Sequence, residues 1–461
     1  MSHHRFLPAV RLTMSVSALC LIASTWPLWT GSSSFPQVPF FESLCGIGPW
    51  ADTLSLALVL TGTVGTFFGA ATSLRSPVDQ KAEPFDRTAR RLEMAGPWIL
   101  AVGLCFAMLL NQHRLQPWAW HFLLIAPLLA RRASSLEQIV PRRFDFYGIL
   151  GLTISLYLFS AISKCDQTFT QSYGRQFLEA LLNIFGASSR FWSESARTNG
   201  AAMFPLGEIV VAFLILPPKT RLAGLLLSVV MHVFLLLAVG PFGLNHQPGV
   251  LIWNVYFIAQ NLLLWVRIRT LSPEDVNENF RVPTASTSAS NQQAMTSRLG
   301  LIPSVFASMI LLIAILLPAL RFAGLCDPWP AWAVYASQPE RVTILINEPA
   351  ASELPDELRR FLRPRRINDG RVFFRADLWS IAETGAPIFP GARFPVAIAR
   401  ALNARPELRG KVDLVLESPA GWWNGEREAD EYVGQNGIDA ASKLFWLNTK
   451  TRQQNNAPAM P

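Results

Sequence analysis

The chain has 461 residues, 51% of them hydrophobic and only 16% charged, with a formal net charge of +8. So little charge excludes an ordinary soluble protein of this length. The Lys and Arg residues sit in short clusters between apolar runs and form no continuous basic surface, which excludes nucleic acid as the partner.

A bilayer core about 30 Å thick takes roughly 20 apolar residues wound as a helix. Such runs occupy residues 12–30, 50–74, 95–110, 117–130, 146–163, 201–216, 222–240, 250–266 and 299–322. The expected fold is therefore an all-α polytopic membrane bundle of about nine transmembrane helices. Arg5 and Arg11 precede the first run, as in a secretory signal, but Trp26 and Trp29 stand where a signal has small residues, so a retained helix is expected. The fourth run is short and interrupted by Pro127, which predicts a tilted or incomplete span.

Residues 1–270 form the membrane domain with eight of these spans, and residues 271–298, rich in Ser, Thr and Asn, read as a polar cytoplasmic linker. The ninth helix follows at 299–325. Residues 326–447 read as a small soluble α/β domain: RVTILINE, RVFFRADLW and KVDLVLE alternate as strands, while SELPDELRRFL and VAIARALNA have helical spacing. Residues 448–461, NTKTRQQNNAPAMP, are expected to be a disordered tail.

Short loops rich in Lys and Arg stay cytoplasmic. Arg75, Lys81, Arg87, Arg90 and Arg91 lie between spans two and three, and Arg131, Arg132, Arg142 and Arg143 between four and five. Lys219 and Arg221 follow span six, and Arg267 and Arg269 follow span eight. The alternate loops 31–49 and 241–249 have no Lys or Arg, and 111–116 has only Arg114. This pattern predicts a multi-pass protein of the inner (plasma) membrane with a cytoplasmic N-terminus and an extracytoplasmic C-terminal domain. The loop at 164–200 breaks it with Lys164, Arg175, Arg190 and Arg197, and is expected to be folded surface.

Polar groups near a membrane are costly and mark function. They fall into four sets: Asn111 to Gln116 with His113 and Arg114; Lys164, Cys165 and Asp166; Glu208 and His232; and Asn245, His246 and Gln247. The first, second and fourth lie on the same outer side by the charge pattern, which predicts a pocket there lined by His113, Arg114, Lys164, Asp166, Glu208, His232, Asn245 and His246. Each set also has a plainer reading, with Lys164 snorkelling to headgroups, Glu208 and His232 as packing hydrogen bonds, and His113 and His246 as solvated turn residues. Five cysteines, Cys20, Cys45, Cys105, Cys165 and Cys326, form no CxxC pair and no zinc-spaced Cys/His set, so no metal site is expected.

YLFSAISKCDQTF (Tyr157 to Phe169) with SYGRQFL after it, MFPLGEIVVAFLILPPKTRLAGLLLSVVMHVFLL (Met203 to Leu236) and NQHRLQPWAWHFLL together resemble a known membrane domain. It is shared by the vitamin K-dependent gamma-carboxylase group, where it is also called the horizontally transferred transmembrane domain, and by the DoxX and MauE redox-associated membrane proteins. The resemblance spans roughly residues 12–266. It implies a redox-associated accessory protein that binds a quinone-like molecule or a redox partner protein. The carboxylase branch instead implies an enzyme with Lys164 as base and a role for His232. However, ARRASSLEQ follows the fourth run where a carboxylase has a further histidine. A thiol relay would need the separated Cys45, Cys165 and Cys326. A structural or transport role is the remaining alternative.

Overall fold

The computed structural model describes residues 3–31, 33–75, 84–130, 141–270, 309, 311–367 and 369–452. The expected linker at 271–298 and the start of the ninth run lie outside them.

The apolar runs fold as helices because, away from water, only a helix satisfies every backbone group within one segment. They are α1 (His3–Ser24), α2 (Trp26–Thr30), α3 (Trp50–Arg75), α4 (Pro84–Leu110), α5 (Pro117–Leu129), α6 (Pro141–Ile162), α7 (Gln167–Gln171), α8 (Tyr173–Ile184), α9 (Glu194–Ile215), α10 (Arg221–Val239) and α11 (Pro248–Arg269). A shorter α12 follows at Leu311–Ala323. Seven helices, α1, α3, α4, α6, α9, α10 and α11, are long and apolar enough to cross a membrane. They leave Phe68, Val102, Phe213, Val230, Phe234 and Val255 exposed on the outside of the bundle, where a soluble protein would carry charge.

The nine expected spans reduce to these seven plus two short helices among the described residues. The fourth run is only the 13-residue α5, with Pro127 inside it. Its Trp118, Phe122, Ile125, Leu128 and Leu129 are all buried, as expected of a helix that is apolar all round and surrounded by neighbours. The first run is split, because α1 ends at Ser24 and Pro27 starts the one-turn α2. Helices α3 and α4 pack backbone to backbone: a Cβ on Gly62 would lie 2.2 Å from the Leu100 nitrogen, and one on Gly96 2.6 Å from the Thr66 nitrogen. Small residues on both helices permit that approach.

In the C-terminal domain, β1 (Arg341–Asn347), β2 (Leu362–Pro364), β3 (Arg371–Phe374), β4 (Val412–Glu417) and β5 (Ala429–Tyr432) form a sheet of order β2-β3-β1-β4-β5. Every pairing is antiparallel, with Ile344 opposite both Phe374 and Leu414. The expected small domain of helices and strands is thus an antiparallel sheet covered by helices. Those helices are α13 (Glu348–Ser352), α14 (Asp356–Arg359), α15 (Ala376–Thr384), α16 (Arg393–Asn403) and α17 (Gly434–Ser442). Ile344, Ile346 and Leu414 bury one sheet face with Phe394 and Leu402 of α16 and Ile438 of α17. Within SELPDELRRFL only Ser352, which ends α13, and Asp356–Arg359 are helical, and Leu362 already belongs to β2.

The domain docks on one end of the bundle. Gln112 donates to the Asn448 carbonyl at 2.9 Å and accepts from Arg393 Nε at 2.7 Å. Ser34 donates to Glu383 at 2.8 Å, and the Gln167 amide to the Trp422 carbonyl at 3.1 Å. The loops at 31–49, 111–116, 164–200 and 241–249 all meet the domain, so the turns poor in Lys and Arg share its end of the molecule. In the exceptional 164–200 loop, Arg175 and Arg197 both pair with Glu194, which offsets their charge.

The expectation of a disordered tail is corrected for residues 448–452. Arg452 is buried, donating to Asp52 at 2.6 Å and to the Ile47 and Gly48 carbonyls at 2.7 and 2.9 Å. Asn448 donates to the Pro39 carbonyl at 2.9 Å. A buried carboxylate and several buried carbonyls demand donors, and the polar segment supplies them. Residues 453–461 lie outside the described residues.

Candidate functional site

Helix α6 presents Tyr157 and Ser160 on one face, and Lys164 continues that face just past the helix end, because positions three, four and seven apart stack on a helix. Lys164 Nζ donates to Ser160 Oγ at 2.6 Å and to both carboxylate oxygens of Glu208 on α9 at 2.8 Å. Both partners are buried, at 5% and 8% exposure. Lys164 therefore does not snorkel. A buried charge stays buried only with its counter-charge beside it, and Glu208 provides this.

His232 of α10 stands one layer away. Its Nε2 lies 2.8 Å from the Tyr157 hydroxyl and its Nδ1 2.9 Å from Asn254 Oδ1 on α11. The ring stacks on Phe257 at 5.1 Å and 9°. Asn261, two turns beyond Asn254, donates to the Tyr157 oxygen at 2.7 Å.

All of these groups except Asn261 border a cavity of about 560 Å³, within the size range of small-molecule sites. Lys164, Glu208, His232, Tyr157, Ser160 and Asn254 supply its polar lining, while Phe169, Phe177, Phe204, Trp253 and Phe257 are among its apolar walls. Asn245, His246 and Gln247 line it from the turn between α10 and α11. Burial lowers the pKa of His246, whose Nδ1 lies 2.7 Å from the Tyr335 hydroxyl.

Tyr335 belongs to the C-terminal domain, and with Trp329 and Trp332 it lines the cavity from that side. The segment that carries them is tied at both ends. Asp327 accepts from Arg393 twice at 2.6 Å, and Arg427 donates to the Ser337 and Pro339 carbonyls at 2.5 and 2.9 Å. Among the described residues, the non-glycine positions with positive φ are Asn245, Trp332 and Tyr335, at 51°, 58° and 59°. All three line this cavity. Left-handed backbone at side-chain-bearing residues is costly and persists where the surroundings impose it. The cavity is thus walled jointly by the bundle and the domain.

Of the eight residues expected to form the pocket, Lys164, Glu208, His232, Asn245 and His246 come together here. His113, Arg114 and Asp166 do not line it. His113 is buried between Phe35 and Phe394, each 5.4 Å away between ring centres, with Nε2 2.9 Å from the Pro387 carbonyl and 3.2 Å from Ser380 Oγ. Burial lowers its pKa to about 4. Arg114 pairs with Asp52 at 2.6 Å and donates to the Leu28 carbonyl at 2.8 Å. Both turn inward, His113 to the 31–49 loop and the domain and Arg114 to the bundle, and neither is a solvated turn residue. Asp166 caps α7 by accepting the Phe169 amide at 2.9 Å.

Sequence reasoning missed Tyr157, Ser160, Asn254, Asn261, Trp332 and Tyr335. A signal existed for four of them. Asn254 and Asn261 are amides seven apart inside an apolar run, and Tyr157 and Ser160 precede Lys164 at helical spacing. Nothing in the sequence tied Trp332 or Tyr335 to the bundle.

All five cysteines are free. Burial raises the pKa of Cys45, Cys165 and Cys326, helped by Glu42, Glu208 and Asp327 in turn, and Cys326 reaches about 12. Thiols held protonated are poor nucleophiles, which counts against a thiol relay. Among the described residues no three His, Cys, Asp or Glu groups could hold a metal ion.

Fold and site together define a helical bundle of membrane-spanning character with a cavity at one end, closed over by a C-terminal domain. No family model, curated protein or solved structure matches the chain.

Proposed function

We propose that this is an integral membrane protein whose cavity binds a quinone-like small molecule on the extracytoplasmic side, as a redox-associated accessory protein of the MauE/DoxX or horizontally transferred transmembrane type. The observation that carries the reading is the cavity itself. Aromatic walls suit a flat apolar ring, and the Lys164–Glu208 pair with Tyr157 and His232 gives the cavity a few convergent polar groups. The resemblance of Tyr157–Phe169 and Met203–Leu236 to that superfamily points the same way, as does the placement of the C-terminal domain at the end of the bundle where Lys and Arg are scarce.

The carboxylase-like alternative assigns Lys164 as a base. All three N–H bonds of an ammonium at this position have acceptors, two on Glu208 and one on Ser160, so base chemistry at Nζ would first have to break the ion pair. With the same partners in place, Lys164 would meet a ligand through its charge and not through a spare N–H.

Trp253, Trp329 and Trp332 line the cavity, and quinones quench indole fluorescence. Titrating the purified protein with a short-chain ubiquinone analogue should give saturable quenching. Lys164→Met, which removes the positive charge from the cavity lining, should weaken it by roughly tenfold, about 1.4 kcal/mol. Quenching that rises linearly without saturation, identical in parent and variant, overturns the reading.

A further inference from the structure

The hydrogen bonds around His232 run in one direction only. Asn254 Nδ2 donates to the Val250 carbonyl of its own helix at 2.9 Å, which a carbonyl oxygen could not do, so Oδ1 is the atom facing His232. Since Oδ1 accepts, His232 Nδ1 carries the ring proton and Nε2 has a free lone pair. Tyr157 must therefore donate its O–H to Nε2 at 2.8 Å. Its oxygen, having spent its proton there, receives the Asn261 Nδ2 donor at 2.7 Å. This is the logic by which an acceptor behind a histidine fixes the tautomer and leaves the other nitrogen ready to take a proton from a hydroxyl. Here the hydroxyl is a phenol, and it borders the cavity.

We propose that Tyr157, His232, Asn254 and Asn261 form an acid–base site that exchanges one proton with a weakly acidic hydroxyl, phenolic or enolic, on the cavity ligand. The proposal rests on the ligand-binding reading of the cavity and gives it a chemistry. The ligand O–H passes its proton to the Tyr157 oxygen as Tyr157 passes its own to His232 Nε2. One O–H bond breaks on the ligand and one re-forms on Tyr157, while an N–H bond forms on His232. The products are a ligand oxyanion and an imidazolium, with no change in oxidation state. The imidazolium keeps its Nδ1–H bond to Asn254, and the oxyanion forms in a cavity that Lys164 also lines. An amide such as Asn254 cannot take the proton onward, so the chain ends there and the proton returns by the same route. The site suits reversible ionisation of a ligand and does not conduct protons across the bundle.

The charged and titratable groups around the relay are Lys164 on the α6 side, Glu208 on α9 and, behind Phe257, His121 of α5, which bonds Gln260 at 3.3 Å. His246, Tyr173, Tyr335 and Asp377 line other parts of the cavity.

The probe is a nitrophenol carrying a short alkyl chain, whose phenolate absorbs visibly. Bound to the parent protein, and below the pH at which it titrates, it should show a phenolate fraction that does not change with pH, because transfer to His232 leaves the bound proton count unchanged; bound to Tyr157→Phe, that fraction should fall by roughly tenfold. His232→Gln should give the same loss, and the double variant no more than either alone, because both cut one chain. Lys164→Met should add its own loss, since a charge acts independently of the relay. A purely structural role would change melting temperature and leave the bound probe's phenolate fraction in place, which overturns the proposal, as does failure of the parent to bind the probe. A second test needs no variant or ligand: nitrogen NMR of histidine-labelled parent protein should show His232 protonated at Nδ1, and protonation at Nε2 overturns it. Loss of saturable quinone binding alongside a Tyr157-dependent phenolate fraction would remove the quinone reading and leave this one.

Discussion

Glu208→Leu removes the carboxylate that faces Lys164 and leaves an ammonium, 5% exposed, with Ser160 as its remaining partner. Breaking a buried pair by removing one member costs about 3–5 kcal/mol, because the survivor remains desolvated. The cavity lets water reach this survivor, so the lower end, about 3 kcal/mol, is expected. Lys164→Met should cost a similar amount by stranding Glu208. The double variant Lys164→Met/Glu208→Leu strands nothing and places apolar groups against apolar walls, so it should fall within about 1 kcal/mol of the parent. The two single effects therefore exceed the double by several kcal/mol, and that excess is the coupling energy of the pair. Equilibrium unfolding in detergent, followed by tryptophan fluorescence, measures all four proteins of the cycle. Single effects below about 1 kcal/mol that simply add would mean the pair behaves as a solvated surface salt bridge, and the buried-site geometry argued above would be wrong.

Asp52 is ion-paired with both Arg114 and Arg452 at 2.6 Å, so Asp52→Ala strands two buried guanidinium groups and should cost at least about 3–5 kcal/mol in the same assay; a loss under 1 kcal/mol would refute the role given to residues 448–452. His113 has a folded-state pKa of about 4 against an ordinary 6.5, so the unfolded chain takes up a proton first as pH falls. Its contribution is present above pH 6.5 and is lost between there and about pH 4, amounting to about 3 kcal/mol. His113→Gln should flatten the fall in stability across that window, and an unchanged slope would contradict the burial argument. Reporter fusions after residues 90 and 425 should report opposite compartments, cytoplasmic and extracytoplasmic, and the same compartment for both would remove the proposed sidedness.

The helices were legible because long apolar runs leave the chain few alternatives, and α3, α4, α6, α9, α10 and α11 fall where the runs lie. Span status was less legible for α5, since composition does not distinguish a short helix buried among neighbours from one facing lipid. In the C-terminal domain, β1, β3 and β4 could be read from their apolar residues. The edge strands β2 and β5 could not, because LRP and ADEY carry no apolar alternation. For the cavity, the charge pattern grouped Lys164 and His246 on one side, but it grouped His113 and Arg114 there as well. Hydropathy gives depth and side, not the rotation of a turn, and that rotation sends His113 into the domain interface. The contribution of Trp332 and Tyr335 depends on docking between segments far apart in sequence. Arg452 illustrates the same limit: in a polar tail it looks solvated until the buried Asp52 it satisfies is known.

The central claim is that the cavity between bundle and domain holds a quinone-like molecule. The most direct measurement is a mass-spectrometric inventory of lipophilic molecules that copurify with the parent protein and with Lys164→Met, both checked for intact folding. The account predicts a ring-bearing quinone or its reduced form at near-stoichiometric level with the parent and strongly depleted from the variant. Bulk phospholipid alone, in equal amounts with both proteins, would contradict it.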